Sequence, residues 1–381
     1  MLGAIAGATL TVVSLAFSLM MVVVIQTANA YTPRLLRSYI GDPHNHHVLG
    51  LFMGSFAFSL LVLRSVKEAP AFVPTLAVNM ALVLSIMTIF ALLSFIHHVA
   101  RSIEVGNIIE MIEAQTLEVI GLELLGDLGQ PYEGDPNEGL DGKRLSVPSL
   151  ASGYVRRYDY DALDALIGST DMTFAFERPV GAYVLEGEAL ATVASREAYD
   201  DEDDLRARLR AVVVLGSERS RAQDLHYGIE QLTDIALRAL SPGINDPTTA
   251  VMALNALLNL LSRWVQRDHP AHLRADDQGR LRAVFPCDSL ERLVHESLWP
   301  ILDYGAGDYK TLTRLIEGVG LLARGVDSDE RGPLDEILDA LEVRVAGGDW
   351  APPQRRMLEL ESRRDRLASA HAARPRDERD G

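Results

Sequence analysis

The chain has 381 residues, of which 48% are hydrophobic, and a net charge of −17. Residues 1–100 hold four basic side chains (Arg34, Arg37, Arg64, Lys67) and two acidic ones (Asp42, Glu68), a net of +2, so residues 101–381 carry −19. A part that acidic repels nucleic acid and anionic lipid, which argues against nucleic-acid binding, and the lone Cys287 excludes an intrachain disulfide framework and fits a reducing compartment.

Residues 1–100 read as a transmembrane domain with three spans, at about 2–26, 48–66 and 72–96, because about 20 apolar residues cross a bilayer as a helix. Ala28-Asn29-Ala30 resembles a signal-peptide cleavage site. The run before it lacks a basic start and is too long for a signal peptide, so it reads as a span. Gly3, Gly7, Thr11, Ser14 and Ser18 share one face of the first helix, and Gly50 and Gly54 open the second. Small residues let helices approach closely in lipid. Packing within the chain is the favoured reading, with a homo-oligomer seam as the alternative. Asn79 and Ser85 in the third span need protein or water neighbours. Arg34, Arg37 and Arg101 give a slight positive-inside bias, which leans towards a cytoplasmic side for the soluble part of a multi-pass inner-membrane protein in contact with the lipid bilayer. His44, His46 and His47 stand in the first loop, where the plain reading is an interfacial loop rather than a metal site.

Residues 101–145 read as a connector. Val105, Ile108, Ile109, Ile112, Val119 and Ile120 keep a helical period, which predicts that span three runs on to about residue 125. Its apolar stripe must bury against the soluble part or a second protomer. Glycines and prolines then make residues 126–145 a loop. Residues 146–216 alternate like short strands and predict a small β-rich, barrel-like unit. Within it, Arg178-Pro179-Val180-Gly181-Ala182-Tyr183-Val184-Leu185-Glu186-Gly187-Glu188-Ala189-Leu190 resembles half of a biotinyl/lipoyl-type barrel motif. No lysine lies between Lys143 and Lys310, so a swinging-arm role is excluded and the unit reads as structural or docking. Asp200 to Asp204 read as a solvated helix start, and Ala211 to Leu215 as one buried strand.

Residues 217–370 predict a helical domain, and 371–381 a disordered tail. A first helix over 219–240 buries Leu225, Ile229, Leu232, Ala236 and Leu240. Beside that face runs a polar stripe of Arg221, Asp224, Gln231, Asp234 and Arg238. The stripe leads into Ser241-Pro242-Gly243-Ile244-Asn245-Asp246-Pro247. There Gly243 ends one helix, while Asp246 and Pro247 cap and start the next, over 248–265. Asp224, Gln231, Asp234, Arg238, Ser241, Asn245 and Asp246 form the candidate polar site, expected to bond together as a hinge. His226 reads as a surface residue or, in an enzyme, a general base. Later helices are expected at 288–303, 308–325, 332–346 and 353–370.

Ala239-Leu240-Ser241-Pro242-Gly243-Ile244-Asn245-Asp246-Pro247-Thr248-Thr249-Ala250 resembles the signature of an uncharacterised bacterial membrane-protein family, domain of unknown function 2254. Thr32-Pro33-Arg34-Leu35-Leu36, Phe95-Ile96-His97-His98 and Ser152-Gly153-Tyr154-Val155 agree with it. The resemblance implies four N-terminal spans, so a first helix is expected to be missing here; it brings no activity, cofactor or metal. The fold class is an α-helical membrane domain followed by a soluble α+β part, a small barrel-like unit plus a helical bundle. The sequence contains no phosphate loop, zinc-protease helix, nucleophile elbow or dinucleotide turn. That favours a non-enzymatic, membrane-anchored regulatory or scaffold module. A channel or transporter subunit and a membrane-bound enzyme with a site around Ser241–Pro247 are the alternatives. A homo-oligomer through the spans and the 101–125 helix is expected, without metal or cofactor; the protein partner is unknown.

Overall fold

The computed structural model describes residues 1–30, 43–66, 74–102, 104–121, 128–135, 137, 140, 142–199, 201–266, 272–328 and 330–359. The tail at 371–381 and the basic loop residues Arg34 and Arg37 lie outside them. Contacts divide the chain into two compact units, Met1–Ile108 and Ile109–Gly381.

The first unit has three long helices, α1 (Leu2–Ala30), α2 (Pro43–Ser65) and α3 (Thr75–Ser102). Each is long and apolar enough to cross a membrane, over Leu2–Ile25, His44–Ser65 and Thr75–Arg101. They run up, down and up. One core cluster joins Val23, Val48 and Val99, and the other joins Leu2, Val62 and Ala81. Phe17, Val22, Leu61 and Phe90 face outward, where lipid accepts them. The hydroxyls of Thr9, Ser59 and Thr88 are buried and donate to the carbonyl four residues back, which satisfies them without water.

Two expectations for this unit change. No atom comes within 4 Å of a Cβ built at Gly3, Gly7, Gly50 or Gly54. Thr11, Ser14, Ser18 and Asn79 are likewise exposed, and Ser85 is half-buried. The small-residue faces therefore point away from the chain's own described helices. The histidines belong to the first turn of α2 rather than to a loop, and the His44 ring lies 4.3 Å from that of His98.

The expected continuous rod is broken after span three. α3 ends at Ser102, and α4 occupies Val105–Gly121. At the break the Arg101 carbonyl accepts from the Glu104 amide at 3.1 Å and from the Asn107 side chain at 2.8 Å, so an interrupted helix end stays satisfied. Within the second unit, Ile109, Ile112, Thr116 and Ile120 of α4 are buried at helical spacing.

The β-rich part forms no closed barrel. Its nine described strands make two sheets. β1 (Gln130–Pro131), β2 (Lys143–Pro148), β4 (Thr173–Phe176), β6 (Ala189–Ser195), β8 (Leu273–Ala275) and β9 (Leu281–Val284) take the order β1-β8-β9-β4-β6-β2. β3 (Gly153–Tyr158), β5 (Tyr183–Val184) and β7 (Val213–Gly216) take the order β5-β3-β7. Among the described strands only β4 and β9 pair in parallel, and every other pairing is antiparallel. α5 (Tyr160–Ser169) and α6 (Glu202–Val212) complete the layer. Val147, Val155, Leu163, Phe174, Val193 and Leu209 fill its core. α6 continues to Val212, so the strand expected from Ala211 begins only at Val213.

The hairpin β8–β9 is a further difference. It comes from within the helical region yet joins the first sheet through Phe174–Ala283 and Ala175–Val284. Arg274 and Arg282 are buried in these strands, and two charges in seven strand residues hide the apolar pattern. The remaining helices are α7 (Leu225–Ala239), α8 (Pro247–Val265), α9 (Leu290–Gly305), α10 (Tyr309–Arg324) and α11 (Gly332–Gly347). Residues 352–359 are helical too. Leu232, Leu254, Leu293, Leu315 and Ile337 are sealed in this bundle.

α4 meets α7 at one close crossing. A Cβ on Gly228 would collide with the Thr116 side chain. Glycine in mid-helix costs about 1 kcal/mol relative to alanine, so an isolated helix gains from Gly228→Ala. Here overpacking costs about 1–3 kcal/mol. Gly228→Ala is expected to lower the thermal midpoint, and adding Thr116→Ala to recover part of the loss. A raised midpoint for the single variant would show that the crossing is loose.

Candidate functional site: the polar ends of α7

The start of α7 is built on a buried ion pair. Asp224 is the N-cap: it leaves the helix with φ −109° and accepts from the Tyr227 amide at 3.0 Å. It is 3% exposed. A buried carboxylate needs a partner, and Arg219 supplies one, with Nε and Nη2 each 2.7 Å from its two oxygens. The remaining Arg219 nitrogen reaches Glu230 at 2.6 Å, and the guanidinium stands 5.1 Å from the Tyr227 ring centre. Burial opposes the Arg219 charge, but hydrogen bonding to Asp224 together with the charges of Asp224 and Glu230 outweighs it and the pKa is raised. Arg221 donates to Gln115 of α4 at 2.8 Å.

The β-rich part closes on this pair. Gly181 has φ +88°, and a Cβ there would lie 2.5 Å from Asp224 Oδ2 and 2.8 Å from Arg219. Glycine is thus required twice, for backbone angle and for space. Gln223 locks onto β3, accepting from the Tyr158 amide at 2.9 Å and donating to its carbonyl at 3.2 Å.

His226, read from sequence as a surface residue or a base, is neither. Its side chain is 7% exposed, with Nδ1 at 2.5 Å from Glu296 and Nε2 at 2.7 Å from Asp288. Arg292 holds the other Glu296 oxygen at 2.8 Å. Both ring nitrogens donate, so the imidazole is a fixed cation. Burial opposes that charge, yet the Asp288 and Glu296 hydrogen bonds outweigh it and push the pKa up to about 9. Glu296 falls to about 2: burial works against its charge, and the bonds from His226 and Arg292 prevail. A ring with both nitrogens occupied has no lone pair for a substrate proton or a metal.

The histidine charge stabilises the fold fully below pH 6.5, and that stabilisation is lost as pH rises through about 9. The Glu296 share is complete above pH 4.5 and is lost as pH falls through about 2. Unfolding free energies measured from pH 5 to 10 should fall on the alkaline side, by about 3 kcal/mol at most. In His226→Gln that alkaline slope should flatten. An unchanged slope would remove this triad as its source.

The first and last members of the sequence-derived stripe stand at opposite ends of α7. Asp224 is spent at the start of α7. Gln231 is buried at 1% exposure with neither amide atom partnered, and Asp234 and Arg238 are half-buried. Ser241, Asn245 and Asp246 stand at the far end, about 22 Å away for 15 helical residues. There the Ser241 hydroxyl donates to Arg238 O at 2.6 Å. Asp246 caps α8, accepting from the Thr248 and Thr249 amides at 3.1 Å and from the Thr249 hydroxyl at 2.6 Å. Asn245 is exposed and is the one described non-glycine residue with positive φ, +50°. Its polarity suits that left-handed turn. Asn245→Gly should leave the thermal midpoint nearly unchanged, and Asn245→Ala should cost about 1 kcal/mol. Equal losses for both would point to a side-chain role instead.

Arg219, Asp288, Glu296 and Gly181 were not singled out as site residues from sequence. Asp288 and Glu296 lie 62 and 70 positions from His226, and no local pattern announces such a meeting. Among the described residues no group of three His, Cys, Asp or Glu side chains is arranged to hold a metal ion.

Comparison with known proteins follows the same lines. The model of a family described as "Predicted membrane protein (DUF2254)" matches residues 1–320. Uncharacterized protein Mb1321c of Mycobacterium bovis and uncharacterized protein Rv1290c of Mycobacterium tuberculosis are each 30% identical over 358 residues. The match covers 92% of this chain and 68% of each relative. No solved structure matches the chain. With the signature turn at Ser241–Pro247 and three apolar N-terminal helices in place, the chain belongs to the DUF2254 family of predicted membrane proteins.

Proposed function

We propose that this membrane protein is a non-enzymatic regulatory or scaffold module, anchored in a bacterial inner membrane with its mixed α/β part in the cytoplasm. The observation that carries this reading is the commitment of the polar groups around α7. Asp224, Arg219 and His226 each spend their bonding capacity on the protein's own side chains and backbone. Groups so engaged hold helices together and leave nothing free for acid–base or nucleophilic work. The distance between the two ends of α7 also argues against one catalytic pocket. The strong negative charge of residues 101–381 disfavours nucleic acid as partner. Homo-oligomerisation through the spans belongs to the proposal, since Gly3, Gly7, Gly50 and Gly54 are open on the outside of their helices.

A channel or transporter subunit is the second reading. The outward placement of Thr11, Ser14 and Ser18 on the same side as Gly3 and Gly7 favours it, because a polar path would then form between copies. Purified full chain in liposomes is expected to pass no ion flux under varied potential and pH; reproducible flux would transfer the conclusion to the channel. Orientation is read with Cys287, the one cysteine, which is exposed. Burial, Asp288 and Glu330 raise its thiol pKa, so an impermeant methanethiosulfonate reagent, which stays thiol-selective under mildly alkaline conditions, is the label. Labelling only after the cells are permeabilised is the expected result. Labelling of intact cells would put the α/β part outside.

A further inference from the structure

A cleft of about 730 Å³ lies away from α7, at one end of the six-stranded sheet. Its walls come from the α5–β4 junction, the β6–α6 junction and the β8–β9 hairpin. Two guanidinium groups converge there on one oxygen. Arg280 Nη1 and Arg282 Nη1 lie 2.6 and 2.9 Å from Asp171 Oδ1.

The two arginines are fixed from behind. Asp276 Oδ2 takes Arg280 Nη2 and Arg282 Nε, each at 2.8 Å. Arg282, 8% exposed at its side chain, also donates to the Thr170 and Met172 carbonyls at 3.0 and 3.3 Å. Asp171 differs: its side chain is 74% exposed and reaches the pair from solvent. An exposed carboxylate on a surface ion pair contributes about 1 kcal/mol or less. It marks an oxyanion position between two preset cations, held by a group that is easily displaced. Planar guanidinium donors suit carboxylate and phosphate alike.

The charge of the remaining lining sets what else the ligand must carry. Arg196 and Arg208 join the two arginines, and Glu197, Asp201 and Asp204 join Asp171, so four cations face four anions. A multiply charged anion would meet three carboxylates, whereas a ligand with a compensating ammonium group would not. We propose that this cleft binds a small zwitterion. Its phosphate or carboxylate replaces Asp171 between Arg280 and Arg282, and its ammonium group lies toward Glu197, Asp201 and Asp204. The ligand is a free solute or a lipid headgroup of the same chemistry. The site stands independently of the regulatory reading.

The test is calorimetric titration of the full chain in detergent micelles with O-phosphoethanolamine, and separately with inorganic phosphate. O-phosphoethanolamine should bind saturably, one per chain, about tenfold tighter than inorganic phosphate. Asp171→Ala removes the internal competitor and should bind severalfold tighter, while Arg280→Gln should lose about tenfold or more. Thermal midpoints of both variants check that they fold. Displacement by phosphatidylethanolamine added to the micelles assigns a headgroup, and its failure a free solute; either result keeps the site. Absence of saturable binding in both the native chain and Asp171→Ala would overturn the proposal. So would weaker binding by Asp171→Ala, and equal binding of inorganic phosphate would overturn the zwitterion.

Discussion

The pairing of Arg219 with the buried carboxylate of Asp224 is the constraint that orders the second unit. Asp224 cannot be taken out of water alone. Its cap role fixes where α7 begins, and its second task, binding Arg219, fixes the chain just before α7. Gln223 between them is then placed to grip both backbone groups of Tyr158. Gly181 lets the β turn close over the pair. Breaking a buried ion pair from one side leaves an uncompensated charge and costs about 3–5 kcal/mol. This junction is therefore where the sheets and the bundle of the second unit are held in register.

The same rule recurs two residues on. His226 is buried, and it is tolerated because two carboxylates from the α9 side meet both ring nitrogens. In the three apolar helices the solution is local instead, with hydroxyls bonding back to their own helix. Gln231 obeys neither pattern. It is buried with an unpartnered amide, and nothing in the structure explains it.

Local elements were legible in the sequence wherever one physical signal ruled. The three helices long enough to cross a membrane follow from apolar length. The start of α8 follows from Asp246 and Pro247, whose capping chemistry is confined to four residues. Boundaries were less legible where two signals compete. The period of α4 matches that of span three, so nothing in the pattern marks the break after Ser102, which Asn107 stabilises through a backbone carbonyl. The strands β8 and β9 were hidden by Arg274 and Arg282, charges that read as solvated until Asp276 and the carbonyls of residues 128, 129, 170 and 172 are brought to them. The barrel-like unit expected over 146–216 leaned on a short motif from Arg178 to Leu190. Closing a barrel depends on partners far along the chain, and here the strands pair into two separate sheets.

By itself the sequence determined the class of object: apolar helices of membrane length, an acidic α/β part, and a signature turn that places the chain in its family. These are properties of composition, periodicity and adjacent residues, and they survive without knowledge of the fold. Only the tertiary structure decided which polar residues meet. The stripe along α7 looked like one site because its members are close in sequence, but a 15-residue helix holds its ends about 22 Å apart. The groups that do cluster, Arg219 with Asp224, His226 with Asp288 and Glu296, and Asp171 with Arg280 and Arg282, are placed by burial and charge pairing. Except for Arg219 and Asp224, they come from segments more than 60 residues apart.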